Sequence, residues 1–436
     1  MIEKTFLRYG KQMYLKNVFT QMQRFCSSKI TNTETNSIIN TGDPSFLGIQ
    51  TIFTNELKFV NKECYDPLPT FRILNSSKSV QLPKDFELNE EILIKIYRKM
   101  ITINIMDKIL YESQRQGRIS FYMTNTGEEA IQIGSAAAIN LEDIVYAQYR
   151  EAGVLLWRDH SIMEFMNQCY SNHEDTSKGR QMPVHYGSKK LNFVTISSPL
   201  TTQLPQAVGT AYAFKRSGKE ACIICYFGEG ASSEGDAHAA FNFAATLECP
   251  IIFVCRNNGY AISTSSVEQF KGDGIAARGP AYGIHTIRVD GNDVLAVHYA
   301  TKAARQLCIK ERKPVLIEAM TYRIGHHSTS DDSTAYRSTT EIDHWNCYTP
   351  ITRYRTYLES VGLWCEQQDQ QLNESVKKSV LIAFAEAEKK LKPCWKELFT
   401  DVYHTMPKHI RKQVQSMEKH IAEFEEHYPL HLFKEA

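Results

Sequence analysis

The sequence predicts an α/β protein, a doubly wound and mostly parallel sheet followed by a helical C-terminal extension. Three observations carry this. Short runs of consecutive apolar residues recur between positions 144 and 320, and unbroken apolar strands belong to sheets covered on both faces. Helical stretches separate those runs, which is the order of a parallel crossover fold. Beyond about residue 345 the strand-like runs stop and only helical periodicity continues.

The elements follow in chain order. Residues 1–33 carry Lys4, Arg8, Lys11, Lys16, Arg24 and Lys29 against Glu3 alone, with Ile2, Phe6, Leu15, Val18 and Phe19 among them. A basic, acid-poor, amphipathic N-terminus reads as an organelle transit peptide. Residues 34–84 are rich in Asn, Thr and Ser and read as an extended arm. Pro83 and Asp85 precede a helix in which Ile92, Ile96, Met100, Ile103 and Leu110 recur at helical spacing, ending near Gly117. Strands are predicted at 144–147, 193–196, 221–227, 251–255, 286–289 and 315–320, with helices at 204–215, 234–247 and 294–308. The α/β domain with its leading helix thus spans 85–344. A helical region, 345–436, holds predicted helices at 351–360, 366–392 and 407–427. The stripe Ile410, Val414, Met417, Ile421 and Phe424 on the last is read as a packing surface.

Composition sets limits. With 42% apolar and 23% charged residues in 436, the chain has material for a sizeable core. Fifty Lys and Arg balance 49 Asp and Glu, which argues against a nucleic-acid partner. No apolar run approaches the roughly 20 residues that cross a bilayer. The eleven cysteines have no framework spacing. Cys222 and Cys225 resemble a CxxC pair but lie within an apolar strand, where positions three apart face opposite sides. They read as core thiols of a reducing compartment.

Ligands of open parallel sheets bind outside the carboxyl ends of the strands, and the loops leaving these strands are polar. They are Gln148-Tyr149-Arg150, Ser197-Ser198-Pro199, Gly228-Glu229-Gly230-Ala231, Arg256-Asn257-Asn258-Gly259-Tyr260 and Arg323-Ile324-Gly325-His326-His327. Glycines beside Glu229 admit close backbone approach of a ligand. Glu229 and the Asn258 amide oxygen are hard donors suited to Mg²⁺, and Arg256 suits a phosphate. A metal site made of His326, His327, Asp331 and Asp332 is disfavoured, because adjacent pairs on a loop lack the spacing that faces one ion.

Gly228-Glu229-Gly230 followed, after an intervening helix and strand, by Asn257-Asn258 resembles the signature of thiamine-diphosphate enzymes, with Glu in place of the usual Asp. The stretch from Tyr322 to Ser338 resembles the phosphorylation loop of 2-oxo acid dehydrogenase E1 α subunits. Together with Met182–Gly187 it is most similar to the branched-chain members of that family. The pyruvate-type motifs are not matched.

The resemblance implies a thiamine-diphosphate-binding fold and a mitochondrial matrix location. It also implies oxidative decarboxylation of branched-chain 2-oxo acids, with acyl transfer to lipoyl groups of an E2 transacylase. Glu229, Asn258 and the Tyr260 carbonyl would hold Mg²⁺. Tyr149, Arg150, Ser198, Gly230, Ala231, Arg256 and His327 would contact thiamine diphosphate, with His327, titrating near neutrality if unperturbed, as the catalytic residue. Ser197, Pro199, Thr202 and Gln203 match a K⁺ site, and Leu200 would face the substrate. Ser328 and Ser338 match phosphorylation sites, implying a regulatory kinase and phosphatase. A β subunit would supply the other half of the site in an α2β2 heterotetramer. A pyruvate-type α subunit and a non-catalytic regulatory subunit are the alternatives.

Overall fold

The computed structural model describes residues 53–74, 80 and 82–435; the segment 1–33 read as a transit peptide lies outside them. The chain divides into two units after Tyr65. Residues 53–65 contain one 3-10 turn, Lys62–Cys64, with the Asn61 side chain accepting from the Glu63 amide at its start.

The following unit contains strands β1 (Thr70–Phe71), β2 (Ile144–Tyr146), β3 (Ile223–Gly228), β4 (Ile251–Asn257), β5 (Tyr260–Ala261), β6 (Thr264–Ser265), β7 (His285–Asp290) and β8 (Val315–Met320). Six form one sheet in the order β1-β7-β8-β4-β3-β2, every neighbouring pair parallel. β5 and β6 make a small antiparallel hairpin. Edge strand β1 falls within the stretch read as an arm, so part of that stretch is sheet.

Alternation along the strands explains the unbroken apolar runs. Cys222, Ile224 and Tyr226 enter one core, which also receives helices Glu90–Arg115, Glu129–Ala137 and Val294–Glu311. Ile223, Cys225 and Phe227 enter a second core with helices Gln203–Ser217 and Gly235–Thr246. Helices therefore cover both faces. Cys222 and Cys225 are free, buried and on opposite faces, and burial pushes both thiols well above their usual range.

A strand expected from the sequence is absent, and a helix for which the sequence gives no expectation is present. Residues 193–196 do not form a strand. They run beside β2 through a single bridge, Val145 to Phe193, before the chain turns into the exposed loop 197–200. Helix Glu129–Ala137 escapes periodicity because it is buried on nearly every side. Glu129, Gln132 and Ser135 are as inaccessible as Ile131 and Ile133, so no polar face marks it.

The C-terminal helices are Pro350–Ser360, Glu366–Lys389 and Lys408–Glu423. The second buries Val380, Ala383, Phe384 and Ala387 in the first core. The third stops at Glu423, short of the expected end, and of its stripe only Ile421 is fully buried. Among the described residues no helix is long and apolar enough to cross a membrane.

Asp143 binds these layers together at the start of β2. Its inaccessible carboxylate accepts from the Asn140 and Cys222 amides at 2.8 and 2.9 Å and pairs with Arg305 Nε at 2.6 Å. Removing it leaves a buried N–H and a mostly buried guanidinium without their partner. Asp143→Ala should cost about 3 kcal/mol, read as a lower urea midpoint at unchanged slope.

Candidate active site

Because β2, β3, β4 and β8 run parallel, their carboxyl ends open onto one rim, where a cleft of 390 Å³ lies. Tyr149, Arg150, Glu229, Gly230, Ala231, Arg256, Asn258, Tyr260 and His327 all line it, as does Leu200. Ser198 does not. It is exposed, and its hydroxyl lies 2.7 Å from His185 Nε2. Ser197 and Pro199 are exposed as well. Thr202 donates to the Pro199 carbonyl at 3.2 Å, and buried Gln203 donates to the Tyr226 carbonyl at 3.0 Å.

Side chains stitch the loops together. Gln148 Oε1 accepts from the Gly228 amide at 2.8 Å, joining the ends of β2 and β3. Gly230 presses against the hairpin: a Cβ there would sit 2.5 Å from Ala261 Cβ. The glycine thus serves contact within the chain, whatever it also does for a ligand. Ala231–Ser233 form one 3-10 turn before the helix begins at Gly235.

Behind the cleft lies a cluster of charges from which water is almost excluded. Arg256, on β4, pairs through Nη1 with Glu128 at 2.6 Å and through Nε with Glu151 at 2.5 Å, while its Nη2 is buried without a partner. The other Glu151 oxygen accepts from the amides of Gln148, Tyr149 and Arg150 at 2.9, 3.0 and 2.9 Å, which shapes that loop. Arg150 donates to the carbonyls of Thr124 and His327. Sequence reasoning assigned nothing to Glu128 and Glu151. Their one signal is that charged residues stand next to runs of small and apolar ones, at Glu128-Glu129-Ala130 and Arg150-Glu151-Ala152.

Glu229 is nearly inaccessible, and its Oε1 has no hydrogen-bond partner. Burial, reinforced by the Glu128 carboxylate, pushes its carboxyl up to about 7. A buried acceptor with an unused oxygen fits a cation. Asn258 lies beside it: the Glu229 Oε2 is 3.4 Å from the Asn258 amide nitrogen of the backbone. Such oxygen donors fit Mg²⁺. Among the described residues no group of three or more His, Cys, Asp or Glu is placed to hold a metal, so any metal here would also need amide, carbonyl or ligand oxygens.

His327 departs from the sequence expectation. Burial and the guanidinium groups of Arg150 and Arg323 push its imidazole down to about 3, far from neutrality. Arg323 Nη1 lies 3.1 Å from Nδ1; an arginine only donates, which places the neutral ring's proton on Nε2. In this arrangement His327 is a neutral ring that offers its Nε2–H as a hydrogen-bond donor. Asp331 accepts from its backbone amide at 2.7 Å, and Arg337 donates to the carbonyls of Arg323 and Gly325. On the same loop Ser328 is buried, 3.3 Å from the Ser330 hydroxyl. Ser338 is exposed and caps helix Thr339–Asn346.

A histidine depressed in the folded state binds its proton first in the unfolded chain, so its contribution is lost as pH falls below about 6.5. His327→Gln should therefore lose less stability than the parent between pH 7.5 and 5.5, compared by urea unfolding at both values.

Comparison with known proteins places this geometry in a family. The model of the dehydrogenase E1 component matches residues 97–396. A mouse protein named 2-oxoisovalerate dehydrogenase subunit alpha, mitochondrial, is 57% identical over 393 residues, 90% of this chain and 89% of its own. The human protein of that name is 57% identical over 392 residues, 89% of this chain and 88% of its own. The Caenorhabditis elegans protein is 58% identical over 381 residues, 87% and 88% of the two chains. The chain belongs to the dehydrogenase E1 component family.

Proposed function

We propose that the chain is the α subunit of a branched-chain 2-oxo acid dehydrogenase E1 component in the mitochondrial matrix. With a β subunit, as α2β2, it decarboxylates 2-oxo acids such as 3-methyl-2-oxobutanoate and passes the acyl group to a lipoyl group on E2. The observation that carries this is one cleft holding an unpartnered Glu229 oxygen together with an unpartnered Arg256 nitrogen, a cation site beside an anion site. The printed names of the relatives supply the substrate class.

In this reading residues 85–344 are the cofactor domain, 345–436 its helical extension, 34–84 the arm and 1–33 the transit peptide. Glu229, Asn258 and the Tyr260 carbonyl hold Mg²⁺. Arg256, Arg150, Tyr149 and the backbone of Gly230 and Ala231 hold the diphosphate, whereas Ser198, beside His185 and outside the cleft, would have to move to reach it. Thiamine diphosphate, when bound, supplies the electron sink for loss of CO₂. His327 presents Nε2–H to oxygen as it gains negative charge, a role suited to a neutral donor with a fixed tautomer. Ser197, Pro199, Thr202 and Gln203 supply the oxygens of a K⁺ site. Leu200 faces the substrate chain, where one methylene separates acids by only about 1–3 kcal/mol.

Ser328 and Ser338 accept phosphate from a kinase, and a phosphatase removes it. A group of about −1.5 to −2 charge on buried Ser328 is incompatible with the packed loop and displaces His327 with it.

Co-expressed with its β partner, the chain should decarboxylate 3-methyl-2-oxobutanoate faster than pyruvate; preference for pyruvate, or no thiamine-dependent turnover, sinks the assignment. Ser328→Glu should lose E2-coupled NADH formation, and coupled rates equal to the parent's would refute the loop mechanism.

A further inference from the structure

We propose that Glu128 is the positioning residue for both ends of the cofactor site, orienting a metal ligand and a diphosphate-binding cation from one buried carboxylate. The inference rests on the cofactor reading above. It concerns a residue that does not line the cleft and so touches neither metal nor diphosphate.

Glu128 stands immediately before helix Glu129–Ala137 and is wholly inaccessible. Its two oxygens serve different ends of the site. Oε2 accepts from Arg256 Nη1 at 2.6 Å, and Oε1 accepts from Asn258 Nδ2 at 2.9 Å, with Arg150 Nε 3.6 Å from the same Oε1. The bond to Nδ2 decides which way the Asn258 amide points. With the nitrogen committed to Glu128, the other side presents Oδ1, which accepts from the Tyr260 amide at 3.1 Å and keeps a second lone pair. The bond to Arg256 sets the plane of the guanidinium. Nη1 and Nε are both engaged, and Nη2 is the donor left over.

Glu151 provides the contrast within the same cluster. It is equally buried and also grips Arg256, but its remaining contacts are the amides of residues 148–150, none of them at the metal end. Loss of Glu151 should therefore disturb the anion end alone. Loss of Glu128 should disturb both. A role in packing alone makes no such distinction, because both carboxylates are buried and both pair with one arginine.

Glu128→Gln nearly preserves shape but replaces one acceptor by an amide donor, which must then face Arg256 or Asn258 as donor against donor. The variant, Glu151→Gln and the parent are each co-purified with the β subunit. Thiamine diphosphate affinity is read by fluorescence quenching at saturating Mg²⁺, and Mg²⁺ half-saturation at saturating thiamine diphosphate. Glu128→Gln should weaken Mg²⁺ and thiamine diphosphate each by about tenfold or more, the scale of lost ligand-orienting contacts. Glu151→Gln should weaken thiamine diphosphate and leave Mg²⁺ at the parent's value. If Glu128→Gln binds either component as the parent does, or if Glu151→Gln loosens Mg²⁺ equally, the proposal is overturned. Should Glu128→Gln fail to assemble, Glu128→Asp replaces it. That variant keeps the charge but is one methylene too short to span both partners, and parent-like Mg²⁺ binding in it overturns the proposal. A parent complex that binds no magnesium thiamine diphosphate overturns the cofactor reading instead.

Discussion

The site depends on burying Arg256 between two glutamates. Taking such charges out of water costs several kcal/mol per ion, and the cost is offset only where geometry is good and the remaining polar atoms are satisfied. Here Glu128 and Glu151 both meet that condition, each with its two oxygens engaged. Glu229 lies beside this cluster with no cation among the described residues hydrogen-bonded to it; burial first, and then the Glu128 carboxylate, pushes its carboxyl up, and one of its oxygens is free. That unused buried oxygen marks the position where a cation belongs.

The sheet makes this cluster possible. Parallel strands place the ends of β2, β3, β4 and β8 side by side, and two separate cores clamp the strands from both faces. The loops need supply only short reaches. Glu151 lies five residues beyond Tyr146 at the end of β2, Arg256 lies on β4 itself, and Arg323 follows three residues after β8. Charged groups held this close to sheet ends are fixed by the backbone hydrogen bonding of the strands. A cluster carried by long loops would have to order itself first, at a cost in entropy.

Much of this was legible in the sequence. Strands buried on both faces appear as unbroken apolar runs, and helices with one wet face, such as Val294–Glu311, appear at 3.6-residue spacing. The polar loops after the strands identify the rim, because fold topology brings strand ends together. What was illegible depends on distance along the chain. Glu128 meets Arg256 across 128 positions and Glu151 meets it across 105, so no local pattern links them. The depressed His327 has the same origin, since one of its two cations, Arg150, comes from a loop far upstream. Helix Glu129–Ala137 was hidden by its complete burial, and residues 193–196 by a composition that suits a strand while the pairing stops after one bridge.

The protonation states divide the chemistry between two chains. Among the buried carboxylates at the cleft, Glu128 and Glu151 are committed to cations and amides, and the free oxygen of Glu229 suits a metal. His327 has its acceptor nitrogen facing Arg323 and offers only a proton already held on Nε2. These groups suit a magnesium diphosphate and a developing negative charge; of the four, Glu229, with its carboxyl pushed up to about 7 and one oxygen unpartnered, is the one able to take a proton, and a cation bound there would hold it ionised. With Glu229 given to a metal, the proposed assembly draws the base for the cofactor's carbon from outside this cluster, on the β subunit. In that assembly one chain carries the charges that hold the cofactor, and its partner brings the base.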